Sequence, residues 1–271
     1  MRCMDAHLKH LIVTKSQELD IPLIGFASAD SWDTPPIEPW VPEEFRPRAI
    51  YPETQTVIVI GLPVFLPVLE TAPSIWYYEL YKTVNALLDT DAYRIAAVLN
   101  ENQIPSVPVP RDGYGTISIL QEKPVAFFSH RHAAYLAGLG TFGVNNMLLT
   151  KEYGPRVRFT SIFTTADIPP DSIQAESLCI RCMRCVNSCP VHALESKDYP
   201  EGLTNKETCT TRSAALSRRY LSPCGFCIKV CPVGEDRQLY SREDMGVYDE
   251  KDIRYDRYHR SWNHVRSYGG G

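Results

Sequence analysis

Hydrophobic positions follow two regimes along this chain. Up to about residue 165 they recur with the periods of regular structure; beyond it they thin out among cysteines, prolines and charges. "HLKHLIVTKSQELD", from His7 to Asp20, has apolar residues three and four apart and predicts a helix. "TVIVIGL", from Thr56 to Leu62, is a β-branched run without polar alternation and predicts a buried strand. "DTDAYRIAAVLNENQ", from Asp89 to Gln103, predicts a capped amphipathic helix, followed by the extended, proline-bearing "IPSVPVP". "SHRHAAYLAGLG" predicts a helix that Ser129 can cap and that Gly138 or Gly140 can end in a left-handed turn. "RVRFTSIFTT" has the content of a strand.

These elements predict an α+β domain over residues 1–170, with a boundary in "ADIPPDS". A cysteine-bearing domain follows over 171–240. The polar, Tyr- and Arg-rich stretch 241–271 reads as an arm lying over the body or touching a partner.

Composition narrows the class. The chain has 271 residues, 44% hydrophobic and 22% charged, the balance of a globular domain or two. A net charge of -4 gives no overall attraction to nucleic acid or to an anionic membrane. "TVIVIGLPVFLPVL" is too short to span a bilayer and is broken by Pro63 and Pro67. "MRCMDAHLKH" has no apolar signal core and no twin arginine, so the expected location is cytoplasmic.

Eight of the nine cysteines lie between Cys179 and Cys231, which favours metal ligation over disulfides. Cys3 stands apart as a bystander. "CIRCMRCVNSCP" places Cys179, Cys182, Cys185 and Cys189 in the C-x2-C-x2-C-x3-C-P pattern of two-cluster ferredoxins. The second half, "CGFCIKVCP", repeats C-x2-C-x3-C-P with Cys224, Cys227 and Cys231, and Cys209 supplies a ligand from a distance. In such pairs the fourth cysteine of each run ligates the other cluster. That rule assigns Cys179, Cys182, Cys185 and Cys231 to one [4Fe–4S] cluster. Cys189, Cys209, Cys224 and Cys227 fall to the second. Zinc also binds C-x2-C pairs but does not account for two -x3-C-P endings.

Two clusters relay single electrons, so a second chemistry must receive them. No G-x-G-x-x-G following a strand is present, nor a P-loop, a nucleophile elbow or H-E-x-x-H. The stretch "AGLGTFGVNNMLLTKEYGPRVRF" (137–159), then "TTADIPPD", then the ferredoxin pair with its remote Cys209, resembles the cobalamin-dependent iron–sulfur reductases. Epoxyqueuosine reductases and reductive dehalogenases are the branches of that superfamily. The similarity runs from about Val57 to Pro232, and "EKPVAFFS" stands where the epoxyqueuosine reductases carry an Asp-Ser segment.

The resemblance implies a nitroreductase-like domain holding cobalamin without its lower base. On that reading Gly138, Gly140 and Gly143 let backbone lie against the macrocycle, and Asn145, Asn146 and Arg158 bind it. Reductive bond cleavage also needs a proton donor and a group to meet the leaving anion. Tyr114 in "RDGYGT", with His130 or His132 behind it, is the expected donor. Arg156 is expected to meet the anion, sharing one strand face with Arg158.

The implied partners are an external low-potential donor, ferredoxin or flavodoxin, and a small molecule or modified base as substrate. A tRNA partner is not expected, unless Arg212, Arg218 and Arg219 form a local docking site. The aromatic tail from Tyr248 to Tyr268 could reach a second subunit. Two other functions stay open: a non-catalytic electron-transfer or corrinoid-activating protein, and a flavin-dependent iron–sulfur reductase.

Overall fold

The computed structural model describes residues 2–37, 41–113, 117–123 and 125–268, with side chains 2–6, 117 and 118 also outside the description. Tyr114, the expected proton donor, lies outside the described residues. So does the side chain of Cys3.

The centre is a four-stranded antiparallel sheet in the order β1-β2-β6-β3, built from β1 (Leu23–Ser28), β2 (Thr56–Pro63), β3 (Ser106–Val109) and β6 (Val157–Thr164), while β4 (Thr141–Phe142) and β5 (Leu148–Leu149) form a separate antiparallel pair. The central strands pair over their full length, from Thr56 with Thr164 to Pro63 with Val157. β3 sits at the edge, where Pro108 costs no ladder bond on the open side.

Both faces of this sheet are covered, which explains the unbroken apolar run in β2. Ile58 and Ile60 point to one core with Ile12, Leu88, Ile95 and Ile162. Val57 and Val59 point to the other with Trp32, Ala133, Leu136 and Phe163. Helices Arg2–Glu18 and Ile75–Glu101 supply the first layer and His130–Leu136 supplies the second. The structure is therefore mixed helix and sheet, as the periodicity implied.

Two helix limits differ from expectation. The helix read from Asp89 starts at Ile75 and runs for 27 residues. Its cap is Ser74, whose Oγ accepts from the Tyr77 N–H at 3.1 Å. At the His130 helix, Ser129 makes no cap bond; its Oγ lies 2.6 Å from His132 Nδ1 instead.

The cysteine-bearing stretch is mostly extended chain and single turns, apart from the helix Lys206–Ser217. The C-terminal residues fold back over the body. Arg242 pairs with the fully buried Glu70 at 2.9 Å, and Arg266 donates to the Thr71 and Glu70 carbonyls. Trp262 in the helix Asp256–Arg266 is buried. Among the described residues no helix is long and apolar enough to cross a membrane.

Candidate functional site

Cys179, Cys182, Cys185 and Cys231 line one small pocket with Val144, Asn145, Leu149 and Val233. Cys231 thus stands with the first three cysteines rather than with its own C-x2-C neighbours. Arg181 and Met183 take left-handed backbone angles that curl the loop between the thiols. Burial, and then the neighbouring Cys231 thiolate, pushes the Cys185 thiol up to about 11.

The other four cysteines sense one another. Burial, then the charges of Cys224, Cys209, Cys185 and Cys189, raises the Cys227 thiol. The Cys209 thiol is raised by burial and then by Cys224 and Cys189. Thiolates crowded like this in a dry setting need a cationic core to hold them ionised. Ready-made donors also face the sulfurs: Ala193 N–H lies 3.2 Å from Cys189 Sγ, and Arg212 Nε lies 3.2 Å from Cys224 Sγ. Among the described residues no three His, Cys, Asp or Glu side chains close around a point suited to a single ion. Eight cysteines in two groups of four are the donor set that two [4Fe–4S] clusters take.

Cys182 is exposed and Cys231 buried, while the four cysteines of the second set are half-buried. Tyr77, fully enclosed, lies within electrostatic reach of Cys227 and Cys224, and Arg131 within reach of Cys227. Arg158 is the hub beside them. Its guanidinium stacks on Tyr81 at 4.5 Å, while Nε donates to Asn85 Oδ1 at 3.1 Å and Nη2 to Asp112 Oδ1 at 3.0 Å. Arg158 also influences His130, Arg131, Tyr77 and Tyr81. This half-buried polar group next to Cys227 is the candidate site.

The glycine turn is placed differently from expectation. A Cβ at Gly138 would stand 2.3 Å from the Ser172 carbonyl oxygen, and one at Gly140 1.9 Å from that of Leu149. At Gly143 it would meet the Leu149 side chain at 2.6 Å. At Gly138 and Gly140 the missing side chain makes room for protein backbone, and at Gly143 for the Leu149 side chain. Asn145 and Asn146 are likewise buried and engaged. Asn145 Nδ2 donates to the Cys227 carbonyl at 3.3 Å; Asn146 Nδ2 donates to Gly202 O, and its Oδ1 accepts from Thr204 N. These five residues pack against protein, and the turn clamps the body to the cluster loops. Gly140→Ala is expected to cost about 1–3 kcal/mol through overpacking, read as a lower thermal midpoint with the iron content initially unchanged.

Arg156 is corrected as well. It precedes β6, is 0% exposed, and turns away from Arg158. Nε and Nη2 bind Asp236 at 2.7 and 2.6 Å, Nη1 donates to Cys231 O and Nη2 to Val233 O. A guanidinium so occupied positions the Cys231 loop and is not open to a leaving anion.

His130 also has both nitrogens engaged, Nδ1 with Ser161 Oγ at 2.9 Å and Nε2 with Pro110 O at 3.0 Å. The carbonyl can only accept, so Nε2 carries the proton and Nδ1 accepts. Desolvation pushes His130 down to about 4, which keeps it neutral and makes it a brace rather than an acid. His132 is pushed down to about 3 by desolvation and then Arg131, and it bonds Ser129 and the Tyr199 hydroxyl. Sequence reasoning missed Tyr77, Asp236 and Arg237. The partners of Arg156 lie 75 to 80 residues away, so no local spacing announces them.

Residues 178–235 match the 4Fe-4S dicluster domain family. The chain is 24% identical over 288 residues to the epoxyqueuosine reductase of Listeria monocytogenes, covering 89% of this chain and 68% of that protein. It is 23% identical over 193 residues to the tetrachloroethene reductive dehalogenase of Dehalobacter restrictus, covering 65% of this chain and 32% of the relative. Among solved structures it resembles one described as a reductive dehalogenase suggesting a mechanism for B12-dependent dehalogenation. The TM-score is 0.61 at 19% identity, over 92% of this chain and 36% of that one. An epoxyqueuosine reductase solved with a modified tRNA stem loop has a TM-score of 0.59 at 18% identity, over 84% and 65%. The chain thus spans about a third of the dehalogenases it matches and about two thirds of the epoxyqueuosine reductases. Homologues of this chain are named epoxyqueuosine reductase and reductive dehalogenase, and both are oxidoreductases.

Proposed function

We propose that this chain is an iron–sulfur reductase that works with a bound cobalamin to cleave a bond in a small molecule or modified base. The observation carrying this reading is that Tyr77 and Arg131 lie within electrostatic reach of both Cys227 and Arg158, which brings an electron relay next to a polar site. The names of the relatives and the shared fold support it.

A cobalt corrinoid, when bound, supplies a metal centre that takes electrons one at a time and delivers two to an organic bond. Arg131 and Arg158 would meet its amide or phosphate periphery, and Tyr81 and His130 keep Arg158 and its loop in place. Tyr114 is the proposed proton donor. A low-potential ferredoxin or flavodoxin is the proposed electron source, with the exposed Cys182 edge as its entry. A modified tRNA base stays within the proposed substrate range, although Arg212, one of three arginines considered for docking it, is engaged with Cys224. A nitroreductase-like first domain over 1–170, a dicluster domain over 171–240 and an arm over 241–271 are the proposed organisation.

The test is anaerobic reconstitution with iron, sulfide and cobalamin, followed by desalting and ultraviolet–visible spectroscopy. Retained corrin bands, reduced in Arg158→Gln at unchanged iron content, are expected. Flavin bands after incubation with FMN and no corrin would favour a flavin reductase. Cluster bands alone would favour an electron-transfer protein.

A further inference from the structure

Two arginines converge on the backbone of one cluster ligand. The Cys231 carbonyl accepts from Arg156 Nη1 at 3.1 Å and from Arg237 Nε and Nη2 at 2.8 and 2.5 Å. Both guanidinium groups are buried, at 0% and 2% exposure. Their compensation differs. Arg156 is neutralised by the two oxygens of Asp236.

Arg237 has no carboxylate partner among the described residues. Its other donors go to Lys229 O, Arg242 O and the Tyr248 hydroxyl at 2.6, 3.1 and 3.1 Å. All five of its N–H groups are thereby satisfied by neutral acceptors. The nearby Glu70 lies within electrostatic reach of Arg237, but its carboxylate is held directly by Arg242. Tyr248 completes the separation by donating to Glu70 Oε1 while accepting from Arg237. A full positive charge is therefore held, dry and immobile, against the carbonyl of Cys231.

We propose that Arg237 sets the reduction potential of the cluster ligated by Cys179, Cys182, Cys185 and Cys231, holding it above the value the same ligands would give without that charge. Reduction adds one electron to the cluster and no proton, spreading extra negative charge over iron, sulfide and thiolate. A fixed cation in a low-dielectric setting stabilises the reduced form more than the oxidised form. Asp236 contributes with the opposite sign by offsetting Arg156. The site thus pairs one compensated cation with one uncompensated cation, and only the second is free to bias the electron.

The proposal rests on the ligand assignment and not on which cofactor or substrate the first domain takes. Its test is an EPR-monitored redox titration of the full chain, anaerobically reconstituted, with dithionite as reductant. Arg237→Gln removes the charge and is expected to lower the potential of one cluster while the other stays put. Arg237→Lys keeps the charge with fewer hydrogen bonds and should stay nearer wild type. Asp236→Asn leaves Arg156 uncompensated and should shift the same cluster upward.

Opposite signs from neighbouring substitutions cannot come from general loosening of the loop, which would move both the same way. Eight irons retained with an unshifted Arg237→Gln signal would overturn the proposal, as would Asp236→Asn and Arg237→Gln shifting alike. Loss of this cluster from both Arg237 variants would also overturn it, by showing that the side chain only holds the loop. An iron content well below about eight per chain in the unsubstituted protein would instead count against the ligand assignment.

Discussion

Arg156→Met is expected to destabilise the fold by about 3–5 kcal/mol, the range for removing one member of a buried ion pair. The side chain is fully enclosed and links three carbonyl or carboxylate groups that lie 75 to 80 residues further along the chain. Methionine fills much of the volume but leaves the Asp236 carboxylate buried without its cation. It also strips one donor from each of the Cys231 and Val233 carbonyls. The double variant Arg156→Met with Asp236→Leu removes the stranded charge and should recover part of the loss. Full recovery is not expected, since the two carbonyls still lack their donor.

The measurement is the apparent urea midpoint by circular dichroism under anaerobic conditions, taken with iron content at each step. A single variant as stable as wild type would show that the Cys231 loop does not depend on this pair. Gly234 and Gly154 sit against the same guanidinium, where an added Cβ would approach Nη2 to 2.3 and 3.3 Å, so no neighbouring side chain can take its place.

Arg156 also shows where sequence reading reaches its limit. Period and composition exposed β2, β6 and the helices, because each of those patterns is local and repeats. The 27-residue helix was visible only in its second half, where "RIAAVL" shows its stripe; the first half carries Trp76, Tyr77, Tyr78 and Tyr81 and gives a weaker pattern. The cysteine spacing exposed the metal chemistry, since a cluster fixes how many residues separate its ligands. Glycine and asparagine composition at 138–146 was legible as special backbone and misleading about its purpose. A position that needs no Cβ looks the same in sequence whether a cofactor or the Leu149 carbonyl fills the space. Alternation put Arg156 and Arg158 on one face, yet the strand starts between them and they part to Asp236 and to Tyr81.

The crossed ligand scheme makes the sharpest prediction about the clusters. If ligands were shared within each run, Cys231→Ser would injure the cluster of Cys224 and Cys227. The cavity that Cys231 shares with Cys179, Cys182 and Cys185 requires the opposite result. Cys231→Ser and Cys179→Ser should therefore remove the same EPR signal, and Cys189→Ser and Cys209→Ser should both remove the other. Each variant should lose up to half of about eight irons per chain.

Cys209 is the informative member, because it arrives on the helix Lys206–Ser217, outside both short motifs. Its thiol lies within electrostatic reach of Cys224 and Cys189, and burial together with those two raises it, so iron must supply the charge that keeps it a thiolate. Serine binds iron more weakly and leaves the helix backbone unchanged. The loss in Cys209→Ser should thus be confined to one signal, with the Cys231 cluster still reducible. Retention of both signals in Cys209→Ser, or loss of the Cys231 signal in Cys189→Ser, would break the crossed scheme. Because Cys227 faces Tyr77 and Arg131 whereas Cys182 faces solvent, the surviving cluster should still accept electrons from dithionite. Delivery to the Arg158 site should then fail, separating entry from delivery in one variant.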